Sequence, residues 1–405
     1  MIGRAALLAA AAMLTPLPLA AQEAVPAPAP SVTPLPSAHG YQPQDELEQG
    51  LWYEMAEQER LLRQSHFLVD DPALNAYVRG VLCRTVGTER CAATRLYLVR
   101  TPFFNASMAP NGAMIVNTGL LLRMRDEAQL AAVLGHEFTH FEQQHSLRLF
   151  RNMRTKTDIL SIFSLAPIPY AAGMVGQIAI LSSVFGFNRE MEREADAGSI
   201  AELVRAGYDP KAASTIWQQL GDELDATAAE RRHRSRRNSN GGLFATHPRT
   251  TDRMETLATL ADQAAASASS SAERRAAEYR SNLHAWWPRL IDDQVRLADF
   301  GGTEYLLSTL AGPEPGGWTA DLLYARGELY RDRGRDGDFA SAATFYRQAI
   351  DLGGGPVESW RGYGLALLRQ GHAAEGRAAL RTYLQLKPQA HDAAMLGAMA
   401  AEPVT

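Results

Sequence analysis

The sequence predicts a mainly α protein with a small β layer in its first half and paired helices at its end. Three observations carry this: helical periodicity over 42–82 and again from Glu127, two short β-rich segments between them, and an internal 34-residue repeat in the last 80 residues. Of the 405 residues, 46% are hydrophobic and 21% charged, the balance of a globular protein, and the length allows two or three domains. Forty basic against 45 acidic residues give a net charge of −5. That excludes a globally basic nucleic-acid binder, so no nucleic-acid partner is expected. Two cysteines are too few for a disulfide scaffold or a four-cysteine metal module.

The chain opens like a secretory signal: Arg4, then an apolar run over 5–14, then Ala20 and Ala21 before Gln22. Pro16 and Pro18 and the shortness of the run favour a cleaved signal (1–21) over a membrane anchor. Residues 22–41 are Pro- and Ala-rich and read as a linker. Leu47, Leu51, Met55 and Ala56, then Leu74, Tyr77, Val78 and Val81, repeat at helical spacing. Cys83 and Cys91 are the only cysteines of a chain expected to be exported, so a disulfide between them is expected. RLYLVR (95–100) reads as a strand, and Pro110, Asn111 and Gly112 as a turn between two more short strands. Asp126 suits the N-cap of a helix from Glu127, whose Leu130, Val133, Leu134 and Phe138 follow a 3.6-residue period.

Residues 159–188 contain no charge, long enough for a membrane span, but Pro167 and Pro169 favour interfacial or buried packing. RRHRSRR (231–237), with five arginines, runs into the loop-like 238–242 and reads as a solvated loop, with contact to anionic lipid as the alternative. The low-complexity stretch 261–277 reads as an interdomain connection. Gly337, Ala342, Ala349 and Ile350 recur 34 positions later as Gly371, Gly376, Tyr383 and Leu384. Together with Trp360, Gly364, Leu367, Leu380 and Pro388 this spacing resembles the tetratricopeptide pattern of paired helices. Two copies cannot bury a continuous core, so helices within 275–311 are expected to stack beneath them.

The chemistry is concentrated in AAVLGHEFTHFEQQHS. His136 and His140 stand at i and i+4, so both imidazoles leave one helix face about 6 Å apart, close enough to share a Zn²⁺ ion. Glu137 lies on the adjacent face, within reach of a water on that ion. This is the H-E-x-x-H arrangement of zinc metallopeptidases. A third ligand is sought in FNREMEREAD, where Glu190, Glu192 and Glu194 are all available. Only Glu192 has Asp196 one turn further along its own face, where that carboxylate can take a hydrogen bond from a ligating histidine. Glu192 is therefore the expected ligand, Asp196 the supporting or proton-handling acid, and Glu194, about 160° from Asp196 around the helix, the runner-up.

HEFTHFEQQH followed by REMEREAD resembles the gluzincin metallopeptidases that include HtpX-type heat-shock proteases, CAAX prenyl proteases and mitochondrial Oma-type proteases. NASMAPNGAMIVNTGLL, AGYDP and THPRTTDR extend the resemblance, which covers the chain from about residue 42 to its end. Asn188, where Ser is usual, and the order Gly198-Ser199 depart from the pattern without touching an expected ligand. The resemblance implies a zincin-like catalytic domain over 42–263 and a tetratricopeptide-repeat domain over 275–395. It implies one Zn²⁺ held by His136, His140 and Glu192, with Glu137 as general base. His247 and Arg253 match its downstream motif: Arg253 to stabilise the oxyanion, His247 to donate to it or to take the open zinc position in a latent state. Asn105, Ala106, Ser107 and Met108 correspond to an edge strand to which an extended substrate adds. The implied protein is a periplasmic zinc endopeptidase acting on unfolded or misassembled envelope proteins. Its repeats would bind clients or the outer-membrane assembly machinery, and it would touch the membrane at most peripherally. The alternative is a chaperone or adaptor whose metal site is largely latent.

Overall fold

The structure, a computed structural model, describes residues 40–154, 187–235, 237, 251–267, 272–312 and 317–401. The expected signal segment, most of the linker, the uncharged stretch 159–186, the loop 238–242 and His247 lie outside the described residues. Among the described residues no helix is long and apolar enough to cross a membrane.

Local chemistry sets the first elements. Helix α1 (Glu46–Arg63) starts where Asp45 accepts from the Glu48 amide, and α2 (Pro72–Val86) where Asp71 accepts from the Leu74 amide ahead of Pro72 at the first helical position. Gly87, at φ 89°, ends α2 and leads into the short α3 (Thr88–Cys91). Cys83 and Cys91 are joined by a disulfide, with their Cα atoms 5.0 Å apart. Three strands follow: β1 (Arg95–Val99), β2 (Ala106–Met108) and β3 (Ala113–Asn117). They lie in the order β1-β3-β2, with β1 parallel and β2 antiparallel to β3, so among the described residues β2 is an edge strand. The β2–β3 turn closes through Ala109 and Gly112, the latter at φ 88°. A short helix α4 (Thr118–Arg123) leads from β3 toward the motif helix.

That helix, α5 (Glu127–Glu142), is capped by Asp126, which accepts from the Gln129 amide. Its first-turn acid Glu127 is fully buried and takes hydrogen bonds from Tyr77 and Tyr208 at 2.9 and 2.6 Å, with the Arg84 guanidinium at 2.9 Å. A buried charge is tolerable only when paired in this way, and here the pairing also fixes the start of α5. After α5 comes α6 (His145–Arg154); then, past the undescribed stretch, α7 (Arg189–Arg205), capped by the Asn188 side chain. Helices α8 (Lys211–Glu230) and α9 (Thr251–Ser267) pack on each other and on α7.

The close seam is between α5 and α7. Ser199 donates to the Ala132 carbonyl at 2.7 Å, and a Cβ at Gly198 would stand 2.4 Å from Thr139 Oγ1. Arg90 on α3 locks the far end: it bonds Glu142 of α5 at 2.5–2.7 Å and Glu202 of α7 at 2.6 Å, its guanidinium over the Phe138 ring. The disulfide thus holds the segment whose arginine ties the two motif-bearing helices together.

Beyond residue 275 the fold is helical: α10 (Ala276–Leu283), a 3₁₀ turn His284–Trp286, α11 (Trp287–Val295) and α12 (Phe300–Leu310). Then come α13 (Ala320–Arg333), α14 (Asp338–Leu352), α15 (Glu358–Arg369), α16 (Ala373–Leu386) and α17 (Ala393–Ala400). From α13 on, each helix packs against the next. One hydrophobic cluster runs without a break from Val69 through α5 and α7 to Leu329, taking in Tyr279, Leu283, Trp286 and Leu307. The helices after residue 275 therefore complete the core of the first half. Tyr279 donates to the Leu121 carbonyl at 2.6 Å, Trp286 to Asp71 at 2.9 Å, and buried Arg123 bridges Glu223 of α8 and Gln294 of α11. Helix α12 comes so close to α8 that a Cβ at Gly301 would meet the Ala226 carbonyl oxygen at 2.3 Å.

In an open helix interior Gly→Ala stabilises by about 0.5–1 kcal/mol. At Gly198 the sign should reverse, because the added methyl overpacks the seam at a cost of about 1–3 kcal/mol. Thermal denaturation should show Gly198→Ala melting below the wild type and Gly198→Ala/Thr139→Ala recovering most of the loss. A single variant at least as stable as the wild type would mean the seam is looser than described.

Candidate metal centre

Helix α5 delivers His136, Glu137 and His140, and α7 delivers Glu192 and Asp196; all five are buried. The two Nε2 atoms of His136 and His140 stand 3.1 Å apart, and the Glu192 carboxylate lies 3.6 Å from the first and 3.8 Å from the second. One ligand atom from each of the three residues falls within 4.8 Å of the others. Two nitrogens at about 2.0–2.1 Å from a tetrahedral ion are about 3.3 Å apart, so the spacing fits a shared zinc. The donor set, two imidazoles and one carboxylate, is that of a catalytic site with a fourth position left open.

The outer ring nitrogens are engaged. His136 Nδ1 lies 3.1 Å from Asp196 Oδ1, the contact expected of that acid. His140 Nδ1 lies 2.8 Å from Nδ1 of His145, whose Nε2 is 2.8 Å from Glu194 Oε2. Phe187 stacks on the His140 ring at 3.8 Å. Both rings are thereby oriented with Nε2 toward Glu192, and an imidazole with a donor or acceptor fixed on one nitrogen presents a defined tautomer on the other. Burial pushes the His145 imidazole down in pKa, with the Glu194 carboxylate opposing that shift. His145 also holds the Glu194 carboxyl below its usual range.

Of the three acids weighed for the third ligand, Glu192 faces the histidines, whereas Glu194 is 39% exposed and serves His145. Glu190 is exposed at the start of α7. His145 closes the HEFTHFEQQH segment that carries the resemblance, but neither the spacing nor the resemblance implies a role for it. On an uninterrupted helix it would lie about 140° away from His140. The chain instead leaves α5 at Gln143 and turns through Gln144, a non-glycine residue at φ 55°, so His145 folds back beneath the site. No glycine or proline marks that turn.

A recess opens beside His136, Glu137 and Asp196. Its walls are Asn105 and Ala106 at the start of the edge strand, Ala132 and Val133 of α5, Ile216 and Trp217 of α8, and Leu257 of α9. Ser107 and Met108 continue β2, paired with Ile115 and Met114 of β3. Of the four residues expected at the substrate strand, Asn105 and Ala106 line the recess; its α8 and α9 walls rest on contacts between distant segments. Arg253 lies on α9, and only its backbone is described.

Residues 75–261 match the model of peptidase family M48. The chain is 28% identical over 175 residues to the beta-barrel assembly-enhancing protease of Escherichia coli and 30% identical over 175 residues to that of Yersinia pestis. Both alignments cover 40% of this chain and 36% of the relative. It is 32% identical over 164 residues to the mitochondrial metalloendopeptidase OMA1 of Arabidopsis thaliana, covering 40% of this chain and 30% of that protein. The match spans about a third of the length of these relatives.

Competition with a chromophoric chelator should separate the acids. Glu192→Gln is expected to abolish stoichiometric zinc binding, and Glu190→Gln to leave it unchanged. Equal losses at the two positions would move the third ligand elsewhere.

Proposed function

On the premise that residues 75–261 are a peptidase family M48 domain, we propose that the protein is a zinc-dependent endopeptidase of the bacterial periplasm. The observation that carries this reading is the buried His136, His140 and Glu192 group, whose His136, together with the neighbouring Glu137, opens on a recess bordered by the strand β2. A bound zinc ion polarises a peptide carbonyl and lowers the pKa of water to about 7.

The residues divide the remaining work. Glu137 takes a proton from the attacking water and returns it to the leaving amine, the general acid–base role its position on α5 suits. Asp196 holds the His136 ring. Arg253 and His247 serve the oxyanion, and His247 in a latent state takes the open position. The substrate lies extended and pairs with β2 through Asn105, Ala106, Ser107 and Met108. Such pairing reads main chain more than side chains, so it favours unfolded or strand-exposing clients. The apolar recess walls add a preference for an apolar side chain next to the scissile bond.

Misassembled envelope proteins are the proposed substrates, in line with the names of the E. coli and Y. pestis relatives. Export by residues 1–21 and the Cys83–Cys91 disulfide are consistent with the periplasm. We read 42–263 as the peptidase domain and 275–395 as a tetratricopeptide-like repeat domain that binds clients or the outer-membrane assembly machinery, supported by the successive packing of helices α13 to α17. The basic stretch from Arg231 suits peripheral contact with anionic lipid.

Metal analysis and casein hydrolysis of the mature protein test this directly. About one zinc per chain is expected. Glu137→Gln should keep the metal while losing at least about 10²-fold in hydrolysis. His247→Ala should hydrolyse faster if that residue enforces latency. Zinc without hydrolysis in every variant would favour a chaperone or adaptor, and no zinc at all would overturn the metal-site assignment.

A further inference from the structure

We infer that His145 is a positioning residue for the His140 ligand and that Glu194 sets the tautomer in which it acts. The inference rests on the metal-site reading above and goes beyond it. An ionised carboxylate only accepts hydrogen bonds, so the 2.8 Å contact requires His145 Nε2 to donate to Glu194. The neutral ring then has a lone pair on Nδ1, which accepts from His140 Nδ1 at 2.8 Å. With its proton committed there, His140 keeps a lone pair on Nε2, the atom that faces His136 and Glu192. The two histidine ligands are thus held differently: His136 directly by a carboxylate, His140 through a second, fully buried imidazole.

The backbone bears out a dedicated arrangement. Gln144 adopts a left-handed conformation, uncommon for a residue with a Cβ, at the one position that returns the chain so that His145 sits under His140. Helix α7 supplies both ends of the device, Glu192 to the ligand cluster and Glu194 two residues later to the relay. Arg148 of α6 lies 3.4 Å from the same Glu194 oxygen and holds the carboxylate toward His145.

The test is the zinc dissociation constant of the mature full-length chain, measured by chelator competition. His145→Leu, which fills similar space but cannot accept, is expected to weaken zinc about 10–100-fold. His145→Asn, whose amide oxygen accepts, should recover most of that loss, a rescue a merely space-filling role would not give. Glu194→Ala, at a half-exposed position that folding tolerates, should weaken zinc about tenfold and serves if the buried variants fail to fold. Wild-type affinity in His145→Leu, or no advantage of Asn over Leu, would overturn the proposal; with unfolded His145 variants, unchanged affinity in Glu194→Ala would do so. His136→Ala is the control. If it binds zinc like the wild type, the metal-site reading falls and takes this inference with it; if it loses zinc while His145→Leu does not, only this inference falls.

Discussion

The architecture depends on how closely α5 and α7 approach. Each helix alone is an ordinary amphipathic element, and neither carries a complete ligand set. Only when Gly198 lets the Thr139 side chain lie against the α7 backbone do the Glu192 and Asp196 carboxylates reach the two histidines. The distance is held at both ends by charge. Glu127 is fixed among Tyr77, Tyr208 and Arg84 at the start of α5, and Arg90 bridges Glu142 and Glu202 at its end. These half-buried ion pairs contribute little net stability, but once formed they penalise any sliding that would separate the partners. Such pairs suit a site whose ligand spacing matters more than its overall stability.

What the sequence disclosed follows the range of the forces involved. The i, i+4 histidines, the Asp126 cap, the turn at Gly112 and the E-x-x-x-D spacing are local, set by helix pitch and backbone sterics over four or five residues. The mainly α architecture with its small β layer was legible for the same reason. Three features were not. The parallel pairing of β1 with β3 joins residues 18 positions apart and leaves no periodic trace in either strand (Arg95 opposite Ala113). The return of His145 depends on one left-handed glutamine that composition does not mark. The α8 and α9 walls of the recess, and the continuity of the core past residue 275, rest on contacts between distant segments.

The edge strand and the ligand cluster also constrain each other. β2 is only three residues long and, among the described residues, paired on one side; so short an edge is a poor template for uncontrolled association. Its neighbour α5 presents Glu137 and His136 to the recess that Asn105 and Ala106 also line.

The unbroken core has a mechanical meaning as well. Helix α12 abuts α8 at Gly301 and also packs against α13, the first of the terminal helices. The same α8 carries Ile216 and Trp217 in the recess wall. A load borne by the terminal helices therefore has a route to that wall through packed helix faces. Close-packed interiors are stiff, so a small displacement of α12 becomes a displacement of the wall beside the ligands. Packed helix faces thus form one continuous chain of contacts from the terminal helices to the wall of the recess.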